Sequence, residues 1–289
     1  MKKYVLMVVN PVSGGVDKEQ FIEAVTDFAK SKENHIVVYK TTGTDDKAKI
    51  IALYKEHKPE RIIVAGGDGT IKMVGEAMAN ENVLFGILPV GSANGLAVEL
   101  DLLKTLEENI QIAFSDQFVE IDMVVINGKK SLHLSDIGLN ALLIKNYKAS
   151  KIHGKWGYAL QIINTLWHSK GKFKAKISSK THHLECDAKM IVIANAQKYG
   201  TGVVINPLGV INDGKFELVV LKNLNLTVFT KIVLGNMPLN YSDVEIISTD
   251  AAQIQIDKPY SFQIDGEYVG ELTDLEISIS TEKMKVAIA

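Results

Sequence analysis

The sequence predicts an N-terminal α/β domain with a parallel sheet, followed by a β-rich, sandwich-like domain. Up to about residue 115, apolar runs typical of buried strands alternate with helix-like segments, and this rhythm favours a parallel sheet with helices on its faces. Strands are expected at residues 4–9, 35–40, 61–65 and 84–88. Helices are expected at residues 18–31, 45–57, 70–80 and 93–115.

Beyond Phe118 the pattern changes to short β-like runs. They lie at residues 118–126, 131–137, 172–178, 189–195, 216–221, 254–257, 260–264 and 275–280. Helix-like inserts interrupt them near residues 154–168 and 226–235. No internal repeat, linker or low-complexity segment divides the chain, so the change of rhythm is the main indication of a domain boundary.

Composition agrees with a globular protein and limits the function classes. The 289 residues suffice for two modest domains or one large one, and the net charge is only −2. The single Cys186 excludes an intramolecular disulfide and suits a reducing, cytoplasmic compartment. The segment from Met1 weakly resembles a signal peptide, but Asn10-Pro11 interrupts it, and a first strand explains it better. No apolar run approaches a membrane span, and no nucleic-acid-binding motif is present.

Three glycine-rich loops follow predicted strands of the first half. Their sequences are Asn10-Pro11-Val12-Ser13-Gly14-Gly15, Ala65-Gly66-Gly67-Asp68-Gly69-Thr70 and Leu88-Pro89-Val90-Gly91-Ser92-Ala93-Asn94-Gly95. Ligands of parallel sheets bind at the carboxyl ends of strands, and backbone N–H groups in such loops bind anions. An aspartate there makes sense if it faces Mg²⁺ beside phosphates, so the loops predict a magnesium–nucleotide site. Neither common phosphate-loop motif is present, and a plain tight turn is the alternative.

Three further segments extend the pattern to the C-terminus. They are Ala194-Asn195-Ala196-Gln197 onwards to Gly202, Asn206-Pro207 with Asn212-Asp213-Gly214-Lys215-Phe216, and Phe262-Gln263-Ile264-Asp265-Gly266-Glu267. Together with the loops, they resemble bacterial members of the diacylglycerol kinase and sphingosine kinase-like lipid kinases. The GGDGT loop alone is shared with NAD kinases, whereas the Asp-Gly-Glu end is more specific. The resemblance implies domains at residues 1–120, with the tail 284–289 returning to it, and 121–283, with the active site in the cleft between them.

The resemblance also implies ATP-dependent phosphorylation of a lipid hydroxyl, with Mg²⁺. The implied nucleotide-binding residues are Asn10, Ser13, Gly14, Thr42, Gly66, Gly67, Asp68, Gly69, Thr70, Gly91, Ser92 and Asn94. Asp265 is the implied proton acceptor, with Glu267 beside it and Asp68 acting on Mg²⁺ directly or through water. Asp122 and Asp213, with the backbone carbonyls of Val210 and Lys215, are the implied metal residues. Plain hairpin turns remain the alternative at Asp213-Gly214 and Asp265-Gly266.

The sequence departs from the family pattern at three places. Gly95, at the end of the loop 88–95, stands where the family commonly has aspartate. Lys72 and Met73 replace the usual Asn and Glu, and Asn140 replaces a frequent aspartate. Lost acids could weaken metal binding, and Lys72 could replace part of the metal's charge. Two hypotheses therefore stand: a lipid kinase, or a degenerate member that binds nucleotide or lipid without phosphoryl transfer. The sequence names neither the lipid, which can be diacylglycerol-like or sphingoid-like, nor the oligomeric state, with a homodimer among the alternatives.

Charge is concentrated in one segment. Residues 137–184 contain no Asp or Glu, but they carry lysines and the aromatic-bearing stretch 156–167. The lysines are Lys145, Lys148, Lys151, Lys155, Lys170, Lys172, Lys174, Lys176 and Lys180. Aromatic rings near lysines suit peripheral contact with an anionic membrane, here the inner membrane surface. An ordinary amphipathic helix with solvated lysines is the alternative.

Overall fold

The computed structural model describes residues 3–92, 94–138, 141, 171–200, 202–224, 228, 231–232 and 242–289. The chain divides into two units. The first comprises residues 1–121 and 281–289, and the second comprises residues 122–280.

A parallel sheet forms the centre of the first unit. Its strands are β1 (Lys3–Val9), β2 (Asn34–Lys40), β3 (Arg61–Gly66) and β4 (Leu84–Pro89), in the order β4-β3-β1-β2. Its helices are α1 (Glu19–Ser31), α2 (Asp46–His57), α3 (Asp68–Ala77), α4 (Gly95–Glu99) and α5 (Leu106–Ala113). Val5, Met7 and Val9 pack against α1 and α5. Near-continuous apolar strands are typical of a parallel sheet, because helices cover it.

The C-terminal tail adds a strand to this sheet. The last strand of the chain ends at Ala287, and its Lys285 and Val286 pair in parallel with Leu84 and Phe85 of β4. The Ile288 backbone N–H donates to the Gln117 carbonyl oxygen at 3.0 Å. Residues 281–289 therefore belong to the first unit, although they lie far from it in the sequence.

The predicted single helix at residues 93–115 is wrong, because two helices separated by a turn occupy this range. Asp101 between α4 and α5 has a φ of 55°, which a helix cannot accommodate. Thr105 begins α5 with a capping box, in which its side chain and that of Glu108 each accept a backbone N–H. The Thr-Leu-Glu-Glu sequence is the known signature of such a start, so this break was readable in the sequence.

The second unit is antiparallel and β-rich. Its strands are β5 (Phe118–Ile126), β6 (Lys129–Ser131), β7 (Leu134–Gly138), β8 (Phe173–Ser179), β9 (His183–Ala188), β10 (Met190–Ala194), β11 (Phe216–Leu221), β12 (Val244–Thr249), β13 (Ala251–Ile264) and β14 (Glu267–Ala287). Strands β5 and β14 each extend into the first unit. Phe173, Phe216 and Phe262 are fully buried in its core. The predicted fold class, α/β followed by a β-rich domain, is confirmed.

Several strand boundaries in this unit differ from the prediction. The predicted strand 131–137 is two strands, β6 and β7, whereas runs 254–257 and 260–264 belong to the single strand β13. Pro259 lies where the β13–β14 register shifts, since a proline has no N–H to give to a ladder. Strands β9 and β12 were not predicted. In β9, exposed polar residues alternate with half-buried ones and only Ala188 is buried, so this strand contains no apolar run.

The helix-like insert predicted near 226–235 is described only in part, and Val228, Lys231 and Ile232 are helical there. The insert predicted near 154–168 lies outside the described residues. Within the described part of the chain, no helix has the length and apolar character needed to cross a membrane.

Candidate active site

Three glycine-rich loops extend from the carboxyl ends of β1, β3 and β4 in the first unit, and their backbones lie against each other. A Cβ atom at Gly14 would lie 2.3 Å from the carbonyl oxygen of Val90. A Cβ atom at Gly91 would lie 2.4 Å from Cα of Gly67. Only glycine fits at this distance, and Gly14 also has a φ of 63°. The glycines thus bring main-chain segments of all three loops to one edge of the sheet.

Asn10 and Thr70 connect the first loop to the second. Asn10 Nδ2 donates to Thr70 Oγ1 at 3.0 Å, and the Asn10 backbone N–H donates to the Ala65 carbonyl at 2.9 Å. The Thr70 side chain fills the space beside Gly66, where a Cβ atom would lie 2.6 Å from Thr70 Cβ. Three predicted nucleotide-binding residues therefore lie together, and they also hold the loops to one another.

The other predicted residues of these loops border the same edge. Ser13 Oγ lies 3.6 Å from the position that a Cβ atom of Gly67 would take. Gly69 and Ser92 are exposed, and Gly69 lies in the first turn of α3. The first N–H groups of a helix have no partner within the helix, so this turn suits an anion.

The Asp68 carboxylate caps the start of α4. Its Oδ2 accepts the Gly95 backbone N–H at 2.7 Å, and its Oδ1 accepts the Leu96 backbone N–H at 3.0 Å. Both oxygens therefore have a structural task that the sequence did not indicate. Gly95 takes part through its backbone, so the loop keeps its link to Asp68 although the family's aspartate is missing.

Asn94 stabilises its own loop. Its Oδ1 accepts the Gly91 backbone N–H at 2.8 Å, and its Nδ2 donates to the Gly91 carbonyl at 2.9 Å. Asn94 has a φ of 53°, a left-handed conformation that asparagine adopts more readily than most residues. Its predicted contact with nucleotide is therefore combined with a role in shaping the third loop.

Thr42 belongs to a loop that the buried Asp46 organises. Asp46 accepts hydrogen bonds from the Thr42 backbone N–H at 2.9 Å, the Gly43 backbone N–H at 2.8 Å and the Tyr39 hydroxyl at 2.5 Å. Burial opposes the charge, but these bonds outweigh it and lower the pKa of Asp46. Burial and the bond to Asp46 raise the pKa of Tyr39 to about 12. Asp46 was not predicted from the sequence: Asp45 holds the N-cap position of α2, and Asp46 instead accepts N–H groups of the loop that precedes the helix.

Lys18 is a second residue that the sequence analysis missed. It is buried, and its Nζ donates to the backbone carbonyls of Ser13 at 2.6 Å and Val16 at 2.5 Å. Desolvation by burial lowers the pKa of Lys18, and the nearby Asp17 opposes this shift. Lys18, which directly precedes α1, thereby holds the end of the first loop through these two carbonyl groups.

In the second unit, Asp265 lies in the tight turn between β13 and β14. Ile264 pairs with Glu267, and Asp265 and Gly266 have φ values of 49° and 81°, as in a type I′ hairpin. The alternative interpretation, a hairpin turn, is therefore correct as geometry. It does not exclude a chemical role, because the carboxylate has contacts of its own.

The Asp265 carboxylate accepts three hydrogen bonds from the segment 131–133. Its Oδ1 accepts the Ser131 hydroxyl at 2.8 Å and the His133 backbone N–H at 3.0 Å, and its Oδ2 accepts the Leu132 backbone N–H at 3.2 Å. These donors fix the orientation of a half-buried carboxylate. Glu267, the first residue of β14, is exposed.

The turn is also held from the β13 side. Gln263 is buried, and its Oε1 accepts the Gly266 backbone N–H at 2.7 Å, while its Nε2 donates to Asp136 Oδ2 at 2.5 Å. The Ser135 hydroxyl donates to Ser131 Oγ at 2.9 Å, so the partners of Asp265 have partners themselves.

The predicted metal residues of the second unit meet in the loop before β11. Asp122 is fully buried, and its Oδ2 accepts the Gly214 backbone N–H at 2.6 Å. Asp213 Oδ1 accepts the Lys215 backbone N–H at 3.0 Å, and the Asp213 N–H donates to the Val210 carbonyl at 3.4 Å. Asp213, Val210 and Lys215 therefore share one exposed turn, while Asp122 anchors it from the core. A cation at Asp213 with these two carbonyls stays a prediction.

The lysine-rich segment is described only in part. Lys145, Lys148, Lys151, Lys155 and Lys170, the aromatic stretch 156–167 and Asn140 lie outside the described residues. Lys176 Nζ lies 3.0 Å from Glu185 Oε1, and Lys180 pairs with Asp250. Lys172 donates to Asn223 Oδ1 at 2.6 Å, and Lys174 is exposed on β8. Acidic residues from β9 and from the turn between β12 and β13 thus offset part of a positive charge that looked unbalanced in the sequence.

Both units match known families. Residues 4–126 match the diacylglycerol kinase catalytic domain, and residues 136–287 match the YegS C-terminal NAD kinase β-sandwich-like domain. The protein "Probable lipid kinase YegS-like" of an Enterobacter species is 27% identical over 221 residues, which are 74% of this chain and 72% of the relative. "Probable lipid kinase YegS" of Salmonella dublin is 25% identical over 270 residues, which are 91% of this chain and 88% of the relative.

A solved structure has the same fold. The crystal structure of a diacylglycerol kinase from Bacillus anthracis aligns over 100% of this chain and 97% of that chain, with a TM-score of 0.78. The sequence identity is only 17%, so this likeness concerns the fold.

Proposed function

Since the chain belongs to the diacylglycerol kinase and YegS-like lipid kinase family, we propose that it transfers a phosphoryl group from ATP to the hydroxyl of a lipid. The observation that carries the proposal is the meeting of three glycine-rich loops, backbone against backbone, at the carboxyl edge of the parallel sheet. Phosphoryl transfer depends mainly on positioning and on neutralising charge, and such a cradle supplies both.

In this proposal the loops of the first unit hold the nucleotide. The backbone at Gly14 and Gly67 and the start of α3 would face the phosphates, because N–H groups at these places favour anions. Gly91 would line the same cradle through its close approach to Gly67, since its own N–H donates to Asn94 Oδ1. Thr42 would contact the nucleotide from the loop that Asp46 holds in place.

Mg²⁺, when bound with ATP, would neutralise phosphate charge. Asp68 is the residue of the first unit that would meet it. The Gly95 and Leu96 N–H groups already occupy both of its oxygens, and this supports contact through water rather than direct ligation. Carboxylate, water and phosphate oxygens are the donors that magnesium prefers, so the residues present fit the ion.

In the second unit, Asp265 is the proposed acceptor of the lipid hydroxyl's proton. Its three donors leave the carboxylate fixed in orientation, and an oriented base is more effective than a mobile one. Glu267 adds a second carboxylate next to the turn. The substrate is proposed to be diacylglycerol-like or sphingoid-like, reached from the surface of an anionic membrane by a peripheral, cytoplasmic protein.

One observation favours a second candidate function, binding without phosphoryl transfer. Gly95 brings no carboxylate, and Asp68 already caps α4, so fewer acidic groups are available for the metal than the family pattern provides. A chain of this kind would bind nucleotide or lipid without transferring a phosphoryl group.

The direct test uses ATP labelled at the γ-phosphate, magnesium and a total extract of cellular lipids. We expect a labelled, organic-soluble product that disappears when magnesium is chelated. Label that is transferred to NAD instead would indicate an NAD kinase. ATP binding without any labelled lipid, across a panel of diacylglycerols, sphingoid bases and polyprenols, would favour the binding-only function.

A further inference from the structure

Asn195 follows β10 directly and is buried, with only 1% of its surface exposed. It belongs to a motif of the sequence analysis to which no role has been assigned. Its Nδ2 donates to the Leu132 carbonyl at 2.9 Å and to the Asp122 carbonyl at 2.7 Å. Its backbone N–H donates to the His133 carbonyl at 3.0 Å. Asn195 therefore holds two consecutive carbonyl groups of the segment that lies between β6 and β7.

The same two residues hold Asp265 from their other side. The Leu132 and His133 backbone N–H groups donate to the Asp265 carboxylate at 3.2 and 3.0 Å. Each of these residues thus gives its N–H to Asp265 and its carbonyl to Asn195. Because the segment links two short strands, Asn195 supplies hydrogen bonds that a longer ladder would otherwise provide.

The orientation of the Asn195 amide is determined by its partners. Both groups that Nδ2 faces are carbonyl oxygens, so only the NH₂ side can point at them. Among the described residues, Asn195 Oδ1 is buried and has no hydrogen-bond partner. A buried acceptor without a partner costs stability, so the two bonds of Nδ2 are what this side chain contributes.

We propose that Asn195 is a positioning residue, which orients the Asp265 carboxylate by fixing the Leu132 and His133 peptide groups. The inference rests on the proposed role of Asp265 as proton acceptor. Without Asn195, the 132–133 backbone can shift, and the carboxylate moves with it. A displacement of about 1 Å at a reacting group can cost on the order of 10²-fold in rate.

The bond from Asn195 Nδ2 to the Asp122 carbonyl extends this link. The Asp122 backbone N–H donates to the Ile211 carbonyl at 2.9 Å, and its carboxylate holds Gly214. Asn195 thereby connects the Asp213 turn to residues 132–133, whose N–H groups donate to the Asp265 carboxylate.

The first test is a double-mutant cycle with Asn195→Ala and Asp265→Asn. We expect Asn195→Ala to lower kcat by about 10²-fold with little change in KM for ATP. In the Asp265→Asn background, the same substitution should change kcat less than about twofold, because a residue that acts through Asp265 has nothing left to position. An equal loss in both backgrounds overturns the proposal.

The second test does not depend on activity. Hydrogen exchange of the Leu132 and His133 amides should become faster in Asn195→Ala, since the Leu132 carbonyl loses its bond from Nδ2 and only the bond from the residue 195 backbone N–H to the His133 carbonyl remains. The matched control is Asn109→Ala, which removes another buried asparagine whose Nδ2 donates to one backbone carbonyl, that of Lys104. It should leave these two amides and kcat unchanged.

Unchanged exchange at both amides would overturn the proposal even if activity fell. If Asn195→Ala does not fold, Asn195→Ser, which keeps one donor, takes its place. A parent protein without lipid phosphorylation would refute the proposed function, and the exchange measurement would still decide whether Asn195 restrains the 132–133 segment.

Discussion

Replacing Asp265 by asparagine removes the carboxylate with the least disturbance of the turn. Asparagine tolerates the left-handed conformation at this position, where φ is 49°. It also creates an Asn-Gly turn, and the chain already has one at Asn127-Gly128, with φ values of 48° and 78°. The hairpin between β13 and β14 should therefore keep its geometry.

The cost in stability follows from the three donors. The new amide oxygen can still accept the Ser131 hydroxyl and the His133 N–H, but the NH₂ group would then face the Leu132 N–H, which now lies 3.2 Å from Oδ2. One hydrogen bond to a charged acceptor is lost, which corresponds to about 1.5–3 kcal/mol of unfolding free energy. Denaturant unfolding measures this loss, and the protein should stay folded.

The cost in activity should be larger. Loss of a positioned base typically lowers kcat by roughly 10²–10⁴-fold, or about 3–5 kcal/mol in activation free energy. The assay is transfer of labelled phosphate to lipid, with ATP affinity determined in parallel and expected to be unchanged. Asp257→Asn is the matched control, because Asp257 lies on β13, the strand that leads into the Asp265 turn. In the part of the chain that the structure describes, its carboxylate accepts one hydrogen bond, from the backbone N–H of Lys174 on β8.

Glu267→Gln should have a smaller effect than Asp265→Asn if Glu267 only assists its neighbour. Asp265→Asn with the parental kcat would refute the assignment of the proton acceptor and transfer it to Glu267 or Asp68. A loss of ATP affinity equal to the loss of kcat would show instead that the substitution disturbs nucleotide binding.

Four further predictions concern the nucleotide site, the loops and the membrane. Mg-ATP at a hundredfold excess over Kd should stabilise the parent by about 2.7 kcal/mol in thermal unfolding, and Asp68→Ala should abolish the magnesium dependence of this shift. Gly91→Ala should weaken ATP binding in calorimetry at least tenfold, because its Cβ would meet the Gly67 backbone at 2.4 Å; unchanged affinity would contradict the cradle. Asp46→Asn should lower the unfolding free energy at neutral pH by about 1–3 kcal/mol. Because folding lowers the Asp46 pKa, this difference should begin to shrink once the pH falls below the ordinary aspartate pKa of about 4, and it should vanish below the lower pKa of the folded protein. A difference that stays constant as the pH falls would refute the assignment. Replacing Lys145 and Lys148 by glutamine should weaken binding to anionic vesicles, measured by sedimentation, by about 1 kcal/mol for each lysine. Binding to neutral vesicles should not change.

Much of the fold was predictable from local patterns. Strands β5 and β11 begin and end where the apolar runs do, and α1 and α2 begin within one residue of the prediction. The break between α4 and α5 was missed although Thr105 and Glu108 carry a readable signature. The fusion of two runs into β13 was not readable, because Pro259 favours an interruption and only pairing with other strands keeps the chain extended.

The candidate site was predictable as residue types rather than as contacts. The glycines were identified because close backbone approach and positive φ leave a direct trace in the sequence. The task of Asp68 left none, since a carboxylate that caps a helix and one that meets a metal look alike in a sequence. Asp46 and Lys18 left none either, because their bonds to loop backbone groups depend on how the loops fold. The same holds for Asn195, whose partners lie more than 60 residues away.

The sequence by itself determined the two kinds of domain, the three loops at the carboxyl ends of strands and the resemblance to lipid kinases, because these depend on the order and spacing of residues along the chain. Tertiary structure alone decided which side chains form hydrogen bonds and ion pairs with one another. Ser131 donates a hydrogen bond to Asp265 although 134 positions separate them in the sequence. Lys180 donates to Asp250, which lies 70 positions further along the chain. Hydrogen bonds and ion pairs depend on distances of about 3 Å, and only the folded chain brings such distant residues that close.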